Sequence, residues 1–212
     1  WAIERAPDGA IWIGGDFLNF AGIAAADRLV KYDPTTGTYT AIGTGCNDYI
    51  KAIAFAPDGT PYIGGIFTTA NGVACAEVAY WNGTTFVPLG SGCTSGNVRC
   101  LRFGPDGKLR VGGSFTKVNG NTVYGYAVWN HETGAWETTT SVGDSNCIIN
   151  DIAFDSMGNE YVTGTITTMG GVSCANIAKR AASGTTWAPL SSGLAQPGDS
   201  LVTMHNDDVI VC

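Results

Sequence analysis

A Pro-Asp-Gly turn returns along this chain at near-constant intervals. Copies stand at Pro7-Asp8-Gly9, Pro57-Asp58-Gly59 and Pro105-Asp106-Gly107, with a degenerate copy at Ser156-Met157-Gly158, so the steps are 50, 48 and 51 residues. A fifth, weaker copy lies at Asn206-Asp207-Asp208. After each of the first four turns an apolar run closes on glycine: Ile13-Gly14-Gly15, Ile63-Gly64-Gly65, Val111-Gly112-Gly113 and Val162-Thr163-Gly164. Self-similarity at this period means stacked supersecondary units, because a unit of about fifty residues cannot bury both of its own faces.

The punctuation inside one repeat divides it into four short strands. In the second copy the spacing predicts strands over 52–55, 61–64, 77–81 and 85–89, joined by Pro57-Asp58-Gly59, a loop through Asn71-Gly72, and the hairpin turn Asn82-Gly83. No segment carries sustained helical periodicity. The unit is therefore a four-stranded antiparallel meander, and the chain reads as an all-β propeller with a period of about fifty residues. The expected blades are 1-50, 51-98, 99-149, 150-199 and a partial 200-212, together one segment of a larger propeller, cut or processed from a longer chain. Ala52, Ala54 and Ala56 alternate with Ile53 and Phe55 on the expected innermost strand, where converging blades leave little room. The glycines Gly14, Gly15, Gly64, Gly65, Gly112 and Gly113 are expected to admit a close neighbouring backbone or a bulge. Asp8, Asp58 and Asp106 are expected to hold their turns.

Composition excludes several functions. The 30 glycines among 212 residues are about twice the usual share and the 14% of charged residues about half of it, which suits turns and sheets. With 18 acidic against 11 basic residues and a net charge of −7, no phosphate-tracking surface is expected, so nucleic acid is not a partner. No apolar stretch long enough to insert in a membrane is present. The diglycines lack the following helix and the Lys-Ser/Thr of a phosphate loop.

With these motifs in place, the repeats resemble the Kelch and galactose-oxidase type of propeller, through the diglycine and later aromatic pairs such as Tyr32 and Tyr39, Trp81 and Phe86, or Trp129 and Trp136. The longer string of Pro-Asp-Gly, Ile-Gly-Gly-x-Phe-Thr, Asn-Gly and Trp-Asn is more similar to propeller repeats of bacterial and phage surface proteins and of the fungal cortical marker for cell polarity. The fourth copy departs from the pattern, with Thr163-Gly164, Ile166 and Arg180 in place of diglycine, Phe and aromatic. The resemblance implies a secreted or surface-exposed, largely noncatalytic setting: extracellular, cell-surface or virion.

The cysteines fall in repeat register. Cys46, Cys93 and Cys147 occupy the connections between blades, while Cys75 and Cys174 precede the third strand of theirs. Disulfides Cys46–Cys75, Cys147–Cys174 and Cys93–Cys100 are the expectation, leaving Cys212 over, with buried reduced thiols as the alternative.

Candidate chemistry is sparse. Only His131 and His205 are present, both in turns and both expected at the surface, with no Cys-x-x-Cys pair, so neither a zinc site nor a His-based nucleophile is expected. No cofactor is expected. Asp48, Asp144 and Asp151 near the inner strands could supply two carboxylates to a glycosidase, although turn capping explains them equally. Glu4 and Arg102 are expected to line the channel. The leading reading is a noncatalytic structural or recognition module, binding other protein chains of a surface assembly or a carbohydrate receptor through its loops, with further blades of the same chain as an added partner. The alternatives are a secreted glycan-active enzyme and a purely architectural subunit.

Overall fold

The computed structural model describes residues 2–138 and 140–212. Each repeat forms one antiparallel meander in simple sequence order. The first blade contains Ala2–Arg5, Ile11–Gly14, Leu29–Asp33 and Thr38–Ala41. The second contains Ile50–Phe55, Pro61–Gly65, Val78–Trp81 and Phe86–Pro88. Val98–Phe103, Lys108–Gly113, Tyr126–Asn130 and Ala135–Trp136 make the third. Ile148–Phe154, Glu160–Thr165, Ile177–Arg180 and Trp187–Pro189 make the fourth. Leu201–Thr203 and Val209–Val211 pair as the inner hairpin of a fifth.

The innermost strands lie side by side from blade to blade, which sets the sheets radially around a shared axis. Burial follows from that arrangement. Large apolar side chains gather in the seams between consecutive blades, as with Ile50, Ile53, Ile63 and Phe86 in one core and Leu101, Leu109, Val111 and Trp129 in the next. Apolar area removed from water at about 25 cal/mol per Å² makes these seams the main source of stability.

The diglycine strand shows why the seams close. A Cβ on Gly14 would stand 2.5 Å from Cγ2 of Ile50, the first residue of the next inner strand. Gly112 meets Ile149 of the following blade in the same way, at 2.7 Å. The second glycines of the next two pairs serve another contact, since a Cβ on Gly65 or Gly113 would collide with the carbonyl of Tyr49 or Asn97. Those carbonyls approach because three inner strands carry a β-bulge at the same place, between Ile50 and Ala52, Val98 and Cys100, and Ile149 and Asp151. In the turns, Asp8, Asp58 and Asp106 each accept the backbone N–H two residues on, at 2.9, 2.9 and 3.2 Å.

The second blade differs in detail from the sequence expectation, its inner strand starting at Ile50 and its outer strand covering only Phe86–Pro88. The loop through Asn71-Gly72 contains its own small hairpin, Thr69–Ala70 with Val73–Ala74. The third strand of the second blade starts at Val78, because Glu77 has a left-handed φ of 67°.

The expected disulfides are a larger correction. Cys46, Cys75, Cys93, Cys100, Cys147 and Cys174 are all free, buried thiols, and Cys212 is free and exposed. Cys93 belongs to the core between the second and third blades, whereas Cys100 packs into the core between the third and fourth, so they serve different seams. Cys46 with Cys75, and Cys147 with Cys174, fill shared cores as small apolar side chains. Burial pushes the Cys147 thiol up to about 12 and raises Cys46 and Cys93 as well, which keeps them protonated and unreactive.

Candidate functional site

Two cavities are lined by clusters of charged side chains. The first lies on the axis, with a volume of about 370 Å³. The bulges build it. Each inserts one residue into an inner strand, which re-aims that side chain, and the inserted residues Lys51, Arg99 and Asn150 all line this cavity. Arg99 donates to Asn150 Oδ1 at 2.7 Å, linking consecutive blades, and Asn150 in turn donates to the Gly198 carbonyl at 3.0 Å. Glu4 and Arg102 also line it, but Arg102 lies 3.6 Å from Asp151 and donates to the Ile152 carbonyl at 3.1 Å.

The three aspartates considered for hydrolysis are occupied structurally. Asp48 accepts the Tyr49 N–H at 2.8 Å. Asp151 accepts from Ile152 N–H and from Leu201 N–H of the fifth blade, at 2.8 and 2.9 Å. Asp144 caps the Asn146 N–H at 2.8 Å and receives Thr167 and Thr168, and the Thr167 hydroxyl holds its carboxyl below the ordinary value. Asp144, held in the ionised form, has no proton to give a leaving group. Among the described residues no group of three or more His, Cys, Asp and Glu is placed to hold a metal ion, and no helix is long and apolar enough to cross a membrane.

The second cavity, about 210 Å³, opens at the seam between the third and fourth blades, on the side of the Pro-Asp-Gly turns. Its floor is an ionic network. Glu160, with 3% of its side chain exposed, accepts from Arg110 Nε at 3.3 Å, from Tyr126 Oη at 2.7 Å and from Arg180 Nη2. Arg180 also donates to Tyr126 Oη at 2.9 Å, and Arg110 grips Asp106 through both Nη atoms, at 2.8 and 3.1 Å. At the rim Lys108 pairs with Glu137 at 2.8 Å. Burial and the Glu160 carboxylate together push the Tyr126 phenol well above its usual range, so it remains a donor.

This network is absent from the neighbouring seams. Arg110 takes the repeat position of Trp12, Tyr62 and Tyr161, and Glu160 that of Ile11, Pro61 and Leu109. Where Arg110 faces Glu160, the preceding seam packs Tyr62 with Leu109 in one apolar core. Sequence reading noted Arg180 as a departure and missed Glu160, although aligning the copies displays both charges.

His131 is likewise more than a surface residue. Its ring nitrogens contact Tyr62 Oη at 2.7 Å and Asp58 Oδ2 at 3.0 Å, tying the third blade to the second.

Meander sheets radiating from one axis and seated on paired glycines define a β-propeller repeat protein. The model of the Rax2 C-terminal beta propeller domain matches residues 29–201, and the chain belongs to this family, in keeping with the sequence resemblance to the fungal cortical marker. No curated protein matches in sequence. Among solved structures, the extracellular domain of the hybrid two-component system BT4673 from B. thetaiotaomicron is similar over 99% of this chain, at 12% identity and a TM-score of 0.66. That of BT3049 from the same organism is similar over 99%, at 14% identity and a TM-score of 0.57. The chain spans 25% of the length of each, and at these identities the likeness concerns the fold.

Proposed function

We propose that this chain is a noncatalytic recognition module of an extracellular or cell-surface assembly, in which the propeller is the scaffold and the axial mouth with its loops is the contact surface. One observation carries the reading. The bulges that interrupt the inner strands place Lys51, Arg99 and Asn150, one from each of three successive blades, at a single open cavity. The aspartates that could have served hydrolysis are meanwhile committed to backbone and hydroxyl donors. Such a surface offers donors to a protein or a carbohydrate. The extracellular relatives and the family membership support the setting. Residues 1-212 act as one propeller segment with blade limits at 1-50, 51-98, 99-149, 150-199 and 200-212.

The test is a glycan array and a crosslinking pull-down with extracellular extract, run on wild type and on Lys51→Ala with Arg99→Ala. The reading expects a partner that the double variant loses. Hydrolysis of any glycan, abolished by Asp144→Asn or Asp151→Asn, refutes it.

A further inference from the structure

We infer that the cavity between the third and fourth blades is a separate site for a neutral polyhydroxylated ring, a single sugar unit of a glycan. The inference deepens the recognition reading above and rests on it.

The internal comparison is the starting point. Tyr62 packed with Leu109, its hydroxyl on His131, shows that this position of the seam folds without a buried carboxylate–guanidinium pair. Replacing an apolar pair by a buried ionic one brings no general gain in stability, because desolvation offsets the attraction. Arg110, Glu160 and Arg180 therefore point to a use beyond packing. Their setting is also rigid. The Arg180 guanidinium lies 4.8 Å from the centre of the Trp187 ring, and that of Arg110 lies 5.4 Å from the centre of Phe154. Side chains stacked and hydrogen-bonded in advance lose little freedom when a ligand arrives.

The charge count selects the ligand. Lys108, Arg110 and Arg180 face Asp106, Glu137 and Glu160, so three cations meet three carboxylates. A free anion or cation gains nothing from a balanced site. A hydroxyl group donates and accepts at once, and vicinal hydroxyls match neighbouring guanidinium and carboxylate groups. The opposite wall is small: Gly158, Ala181, Ala182 and Gly184 leave the opening clear, with Ala182 where the preceding blade carries His131. At about 210 Å³ the space lies below the ~300 Å³ at which pockets for drug-sized ligands begin, and suits one ring.

Saturation-transfer NMR with glucose, galactose, mannose and their N-acetyl derivatives tests this on the intact chain, with glycine as a zwitterionic control. At least one sugar binds, glycine does not, and the rim variants Lys108→Ala and Glu137→Gln each weaken binding about tenfold or more without lowering the unfolding midpoint. Arg110→Leu with Glu160→Leu, which restores the apolar kind of seam, abolishes it while the protein stays folded. Sugar binding that survives all these variants, binding of glycine instead, or no binding by any sugar overturns the inference. A partner captured at the axial mouth in those circumstances leaves the recognition reading standing, so the two fail separately.

Discussion

Replacing Glu160 by Leu tests whether the third seam is held by its ionic network. Glu160 is the only carboxylate among the described residues that both Arg110 and Arg180 contact, and it also accepts the Tyr126 hydroxyl. Removing one partner from a buried ion pair costs about 3–5 kcal/mol. Here the low end applies, about 3 kcal/mol, because Arg110 keeps its two bonds to Asp106 and only Arg180, 20% exposed, loses its carboxylate. With a urea m-value of about 3 kcal/mol/M, the midpoint falls by about 1 M. The double variant Arg110→Leu, Glu160→Leu removes a cation together with the anion and rebuilds the apolar contact made by Tyr62 and Leu109. It should be more stable than Glu160→Leu alone, with a coupling of about 1.5–3 kcal/mol. Urea unfolding followed by tryptophan fluorescence and circular dichroism reads both quantities. A loss below about 1 kcal/mol for Glu160→Leu, or strictly additive effects, would show that the network is not a coupled buried unit and would refute the reasoning.

The other predictions concern single sites. Burial lifts the Glu77 carboxyl from 4.5 to about 7 and leaves its Oε2 without a hydrogen-bond partner, so the folded state holds an extra proton between those values. Stability should fall as pH rises from about 4.5 to 7, by up to about 3 kcal/mol at 1.4 kcal/mol per tenfold, and Glu77→Gln should flatten that slope in urea melts at pH 5 and pH 8. An unchanged slope would mean that the carboxylate is hydrated. Gly14→Ala, whose new methyl would overlap Ile50, should cost about 1–3 kcal/mol by thermal melting, and a neutral result would show that the first seam has slack. Thiol titration of native protein should label Cys212 alone, rising to all seven after unfolding, with a melting temperature indifferent to reductant. Tyr62→Phe, which removes the bond to His131, should cost about 1 kcal/mol, measured in the same melts.

What could be read from the chain was whatever repeats. Pro-Asp-Gly, the diglycines and the alternating Ala and Ile of 52–55 report local backbone demands, and they located strands to within a residue or two. The small hairpin of 69–74 has two residues per strand, too few for a period to show. The diglycines announced a close backbone or a bulge, but its place on the inner strand is a matter of register, set by where Tyr49 and Asn97 carbonyls meet Gly65 and Gly113. Cysteine register was legible, but its meaning was not. Equal spacing along the repeat follows as readily from one small core position recurring in each seam as from a crosslink.

A propeller also makes its exceptions interpretable. Every seam solves the same packing problem, so each one is a control for the others, and a residue that departs from the shared solution has a cost that can be judged by comparison. Arg110 and Glu160 stand one repeat period apart, 110 to 160, in positions that face each other only once blades stack. Neither charge stands alone: each is paired with the other where the preceding seam places Tyr62 and Leu109. The pair therefore carries two statements at once: that consecutive repeats pack face to face, and that this seam holds a buried ion pair where the one before it packs Tyr62 on Leu109 and bonds its hydroxyl to His131.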